Sequence, residues 1–150
     1  MNGYQQEIQL RWCDLDPNFH VRHSVYYDFG AAVRMDYLAA QGLTAAVMQE
    51  NQLGPILFRE EARFLREIKL EDRLQIHLQL VKARKDMSRW TFRHEIWKNG
   101  NTLAAILTVD GAWMDTRLRK LTAPPAVFRS IFEQVPRSDD FTWSDANEIH

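Results

Sequence analysis

The chain has 150 residues, 45% of them hydrophobic, with 19 basic and 20 acidic side chains and a formal net charge of −1. That length supports one domain of ~100–150 residues with a single sizeable core, so a large pocket is expected to be shared between subunits. Near neutrality argues against nucleic-acid recognition, which shows as a basic excess. The single cysteine, Cys13, excludes an intrachain disulfide and any two-cysteine metal or redox motif.

No stretch approaches the ~18 apolar residues of a membrane helix. The segment Met1 to Leu10 is polar and alternating and lacks the pattern of a signal peptide, so a soluble, cytoplasmic protein with no membrane partner is expected. Arginine supplies 14 of the 19 basic residues, and the span Leu57 to Arg93 carries ten basic against six acidic side chains, a composition suited to an anionic ligand.

In chain order, Ile8, Leu10 and Trp12 alternate with polar residues and predict a first strand ending near Cys13. Asp14-Leu15-Asp16-Pro17-Asn18 is dense in turn formers and reads as a loop. From Ser24, a good N-cap residue, the apolar positions Val25, Phe29, Ala32, Val33, Tyr37 and Ala40 recur at helical spacing, and Gly42 supplies a left-handed stop. Gly30 inside that helix costs roughly 1 kcal/mol relative to alanine, which close packing against a sheet accounts for. A short second helix follows at Thr44 to Gln52.

The segment Ile56 to Ile68 fits a strand and a helix equally by periodicity. Leu74, Ile76, Leu78 and Leu80 then alternate as a clear strand. Arg84 to Ser88 reads as a hairpin, followed by a strand bearing Trp90, Phe92 and Ile96 and by the Asn99-Gly100 turn. Thr102 to Met114 is apolar on both faces, as in a covered central strand, and Pro124-Pro125 opens a terminal helix over Ala126 to Gln134. One strand, one long helix and a run of antiparallel strands make an α+β domain over residues 1–135. Residues 136–150, with a local net charge of −3, read as a mobile acidic tail.

The stretch RWCDLDPNFHVRHSVYYDFGAAVR, from Arg11 to Arg34, resembles the hot-dog-fold acyl-CoA thioesterases of the 4-hydroxybenzoyl-CoA thioesterase type, whose motif reads D-x-D-x-x-G-H-V-N-N-x-x-Y before a helix. Asp14, Asp16, His20, Val21, Tyr26, Asp28 and Arg34 match, and the likeness extends over roughly residues 5–130. It implies a five-stranded antiparallel sheet wrapped around one long central helix, acyl-CoA as substrate, no cofactor, and a homodimer or homotetramer with sites between subunits. The family's glycine is replaced by Phe19 and its asparagine pair by Arg22-His23. Where several relatives carry a helical glutamate this chain has Ala31 and Ala32, leaving Asp28 as the acid of the first turns.

Thioester hydrolysis requires an oxygen nucleophile or a base for water, and a donor for the developing oxyanion. The resemblance places Asp16 in the first role and the backbone N–H of His23, at the helix start, in the second. An aspartate before proline is otherwise most often a turn-ordering residue. Asp14 is expected to order the loop, and His20 and Tyr26 to line the substrate pocket. The two histidines with Asp14 and Asp16 fit no zinc spacing, so no metal is expected. Arg84, Lys85, Ser88 and Arg89 are the first candidates for the CoA phosphates, and Arg117, Arg119 and Lys120 the second. Each also fits an ordinary solvated turn. Cys13 is expected to be a half-buried strand thiol, and Trp90, Phe92 and Trp113 to be core residues. A non-catalytic hot-dog module binding acyl-CoA or acyl carrier protein is the alternative, motivated by Phe19 and the missing helical acid.

Overall fold

The computed structural model describes residues 3–144. In chain order it contains β1 (Tyr4–Ile8), a single 3-10 turn (Trp12–Asp14), α1 (Val25–Ala40), α2 (Ala45–Glu50), β2 (Leu53–Phe64), β3 (Leu74–Ala83), β4 (Arg89–Lys98), β5 (Thr102–Asp115), β6 (Lys120–Leu121), α3 (Ala126–Glu133) and β7 (Arg137–Trp143). The main path of the sheet runs β1-β3-β4-β5-β2, antiparallel throughout, with β6 on the end of β5 and β7 parallel to β3. This antiparallel sheet curls over α1, which packs against β1, β2, β3 and β5. The α+β hot-dog fold is therefore present, with two strands added to the expected five.

The strands follow from their alternation. Leu74, Ile76, Leu78 and Leu80 are all buried on the helix-facing side of β3, an amount of apolar surface worth roughly 1.5–3 kcal/mol per side chain. Gly30 lets α1 approach the sheet: a Cβ there would meet His94 Cδ2 and Leu107 Cδ1 at 3.1 Å. Gly42 ends the helix region at φ +95°, and Thr44 caps α2 by accepting from Val47 N–H at 3.2 Å.

Four expectations are corrected. The first strand lies earlier than its pattern suggests, because the Asp14 carboxylate accepts from Arg11 N–H at 2.9 Å and winds Trp12–Asp14 into a 3-10 turn. Cys13 sits in that turn and is exposed. Ser24 does not cap α1 with its side chain; its Oγ accepts from Arg22 Nη1 at 2.7 Å instead. The tail is ordered over Arg137–Trp143. There β7 pairs with the end of β3, Asp140 takes a two-pronged ion pair from Arg93 at 3.2 Å, and Arg137 stacks over Phe141 and Trp143. Local negative charge thus meets a specific cation. Asp145 to His150, the remainder of that expectation, lie outside the described residues.

The ambiguous segment is β2, paired with β5 from Leu53 to Phe64. A bulge between Leu57 and Arg59 inserts Phe58 as an extra residue and shifts the alternation by one. Pro55, Leu57, Glu60, Ala62 and Phe64 consequently share one side despite their uneven spacing.

Candidate active site

The turn at Asp16 is built by backbone hydrogen bonds. Phe19 N–H donates to Asp16 C=O at 2.9 Å, Asp16 N–H donates to His20 C=O at 2.8 Å, and Leu15 bridges to Val21. Within it Asp16 Oδ1 accepts from the N–H groups of Asn18 at 2.8 Å and His20 at 3.2 Å. Asp16 is therefore a turn-ordering residue, as most Asp-Pro aspartates are. Only one of its oxygens is used, however. Oδ2 has no hydrogen bond among the described residues, and Asp16 lines a cleft of about 330 Å³ with His20, His23, Tyr26, Phe64 and Glu67.

Phe19 stands at φ +63°, the left-handed conformation that glycine adopts freely. The turn keeps its shape, and the benzyl group is left largely in solvent. Asp14 orders the loop as expected: it is fully buried, its Oδ1 lies 3.0 Å from Arg11 Nη2, and its C=O accepts from Arg22 N–H at 2.8 Å.

The cleft closes against the connection between β2 and β3. Val21 N–H donates to Ile68 C=O at 2.8 Å, and His20 Nε2 lies 3.0 Å from Glu67 Oε2. Tyr26, on the first turn of α1, is buried with its ring edge-on to Phe64 at a centroid distance of 4.9 Å. Burial and the nearby Asp16 carboxylate push its hydroxyl up to about 12, so it stays a neutral donor beside that carboxylate. His23 lies at the start of α1, and its N–H makes no hydrogen bond among the described residues. An open N–H at the positive end of a helix suits a developing negative charge. Trp12, Phe19, His20 and Lys69 line a neighbouring depression of about 380 Å³.

The structure thus brings Asp16, His20, His23 and Tyr26 to one cleft. Phe64 and Glu67, which sequence reasoning missed, join them. Their signal was hidden because the bulge disguised β2, and the pairing of Glu67 with His20 depends on a contact across the fold. Asp28 is exposed in the first turn of α1.

The Arg84 to Arg89 hairpin is elsewhere. Phe64 pairs with Ala105 while Arg89 pairs with Ala112, seven residues further along β5, or ~23 Å at the usual strand rise. At that far end Lys85 is exposed, and Arg89 lies over the Phe58 ring at 5.2 Å. Ser88 is buried and its hydroxyl donates to Asp86 at 2.6 Å, so its polar capacity is already committed. Burial pushes the Asp86 carboxyl up, but the bonds from Ser88 and the nearby Arg84 outweigh it and hold it below the usual carboxylate range. Arg117 and Arg119 lie in the turn between β5 and β6, and Lys120 opens β6, at the same end. Within one chain neither basic set reaches Asp16.

Among the described residues no group of three or more His, Cys, Asp and Glu side chains is placed to hold a metal ion, and no helix is long and apolar enough to cross a membrane. Several solved structures share the fold. A Staphylococcus aureus protein solved in complex with CoA superposes with a TM-score of 0.80 at 18% identity, over 97% of this chain and 93% of its own. A 1,4-dihydroxy-2-naphthoyl-CoA thioesterase from Synechocystis gives 0.78 at 16% identity, over 87% and 96%. A DHNA-CoA thioesterase from Staphylococcus aureus gives 0.77 at 15%, over 87% and 88%. No curated protein matches by sequence. Residues 10–132, which contain the Asp16 turn, α1 and all of the main sheet from β2 onward, match the thioesterase-like superfamily, and the chain belongs to it.

Proposed function

We propose that this protein is an acyl-CoA thioesterase that hydrolyses a thioester to a free carboxylic acid and CoA. The observation that carries the reading is the half-used carboxylate of Asp16: Oδ1 is held by two backbone N–H groups, while Oδ2 has no hydrogen bond among the described residues, in a cleft shared with the open N–H of His23. A carboxylate fixed in this way is already oriented and loses little freedom on reacting.

Two routes use the same groups. In one, Oδ2 attacks the thioester carbon, the oxyanion is held by His23 N–H, the C–S bond breaks, and the CoA thiolate leaves and takes a proton. Water then hydrolyses the mixed anhydride and restores Asp16. In the other, Asp16 removes a proton from water as the water oxygen attacks. A single turnover in H₂¹⁸O separates them, because only the anhydride route can leave label in the aspartate.

A second copy of the chain completes the site in this reading. The edge strand β2 exposes Leu57, Phe58 and Phe64, and the basic hairpin lies too far along the sheet to serve Asp16 of its own chain. A homodimer or homotetramer brings the hairpin of one protomer toward the cleft of another, and the CoA phosphates lie against Arg84, Lys85 and Arg89.

The test is free-thiol release from short, medium, long and aromatic acyl-CoA esters by the wild type and Asp16→Asn. Asparagine keeps an Oδ1 acceptor for the turn but loses the charge. Turnover is expected to fall at least ~10²-fold with ligand binding nearly intact. An active Asn variant overturns the assignment. Binding of acyl-CoA with no thiol release from any ester returns the protein to the non-catalytic module.

A further inference from the structure

Away from the Asp16 cleft, α1, α3 and the sheet form a further pocket of about 210 Å³, lined by Arg34, Leu57, Trp90, Phe92, Trp113 and Phe132 among others. Its polar chemistry is one-sided. Trp90 and Trp113 present ring surface to it, their indole nitrogens being closed off from solvent and without a hydrogen-bond partner among the described residues. Arg34 is buried as well, and its Nη1 lies 2.9 Å from His94 Nε2. Arginine cannot accept, so Nε2 must, and His94 Nδ1–H then donates to His77 C=O at 3.0 Å. His94 is neutral in that tautomer, and burial together with the Arg34 charge keeps it so.

The guanidinium therefore donates a hydrogen bond to His94 but meets no counter-charge among the described residues. Glu60, exposed on β2, is the acidic group whose field reaches it, and it forms no ion pair with Arg34 among the described residues. With Nη1 occupied, Nε and Nη2 remain without hydrogen bonds among the described residues. Those two N–H groups form the parallel fork that matches a carboxylate. No side-chain oxygen lines the pocket. A buried cation with a neutral partner and no counter-charge is costly unless something supplies oxygen atoms and negative charge. A water accepts from one or two donors and leaves the charge unanswered.

We propose that this pocket binds the carboxylate end of an apolar organic acid, its hydrocarbon body against the aromatic rings and its oxygens on the free fork of Arg34. Arg34 lies eleven residues along α1 from His23, ~16 Å of helix rise, so this carboxylate is distinct from the carbonyl that reacts at Asp16. The proposal rests on the thioesterase reading where the acid is the far end of an acyl group lying along the α1–β2 groove. A separate free acid is the other source of the same chemistry.

Calorimetric titration of the full chain with cyclohexanecarboxylate and with cyclohexanecarboxamide tests the pocket. The acid is expected to bind at least ~10-fold more tightly than the amide, and Arg34→Met to abolish that preference. Arg34→Lys, which keeps the charge and removes the fork, is expected to weaken the acid several-fold and the amide less, and it decides the matter if Arg34→Met does not fold. Equal binding of acid and amide, binding of neither, or a preference that survives Arg34→Met overturns the proposal. Thiol release from adipoyl-CoA and from its monomethyl ester then distinguishes the sources: a higher kcat/KM for the acid assigns the distal carboxylate, and equal values with acid binding intact assign a free acid. No thiol release from any ester, with acid binding intact, removes the thioesterase reading and leaves the pocket standing.

Discussion

The Asp16 turn and the aromatic pocket under α1 are built on opposite principles. At the turn, shape comes from backbone hydrogen bonds within five residues and from a single left-handed residue, and the side chains are half in solvent. In the pocket, shape comes from Trp90, Phe92, Trp113 and Phe132, which lie on β4, β5 and α3 and meet with ring centroids 5.0–5.9 Å apart in four of their contacts. A turn made of local bonds tolerates changes in its side chains. A packed aromatic cluster does not, because each ring fills space that the others define.

The sharpest way to break that contrast is at Gly111, where an added Cβ would lie 2.3 Å from a Trp90 ring carbon and 2.6 Å from the backbone oxygen of Ile56. Gly111→Ala is expected to cost about 3 kcal/mol or more, since the backbone cannot give way as a side chain can. Urea unfolding measures it, and a loss under about 1 kcal/mol shows the cluster to be soft.

Acid separates the regions next. The buried His94 is held near 3 in the folded state, far below its usual 6.5. Above pH 6.5 both folded and unfolded chains carry it neutral, so its effect on stability does not change. As pH falls from 6.5 toward 3, only the unfolded chain gains the proton, and folding loses up to about 1.4 kcal/mol per pH unit, about 2 kcal/mol by pH 5. His94→Gln keeps an acceptor for Arg34 and a donor for His77 and is expected to flatten unfolding midpoints measured between pH 7 and 5. An unchanged slope removes His94 as the cause.

The exposed hairpin should respond in binding and hardly in stability. Arg84→Glu with Lys85→Glu is expected to raise KM for CoA esters several-fold, and less for a thioester truncated before the nucleotide phosphates. Equal effects on the two reject phosphate binding there. The smallest change is Phe19→Gly, which relieves left-handed strain of ~1 kcal/mol and adds unfolded-state freedom of similar size. A shift under about 1 kcal/mol toward stability, with turnover unchanged, is expected. A marked loss of activity assigns the Phe19 ring a role in the cleft.

Much of this was legible along the chain because it depends on neighbours in sequence. Alternation identified β3 and β4, helical spacing and Gly42 delimited α1, and Asp16-Pro17-Asn18 announced a turn whose oxygens bind their own backbone. Asp16, His20, His23 and Tyr26 lie within eleven residues on one turn and helix start, and the same local rules brought them to one cleft. The misreadings arose where a distant partner overrode the local signal. Arg22 drew the Ser24 hydroxyl from its cap, and Arg93 and β3 ordered a segment whose acidity read as a tail.

By itself, then, the sequence determined α1, the strands β3 to β5, their order and the Asp16 turn, since periodicity and turn chemistry act over a few residues. Only the tertiary structure decided that Phe64 and Glu67 close the cleft, that the basic hairpin stands at the far end of the sheet, and that Arg34 shares a pocket with Trp90 and Trp113. Those juxtapositions join residues up to 79 positions apart. They follow from strand order, the β2 bulge and the docking of α3, which no local pattern records.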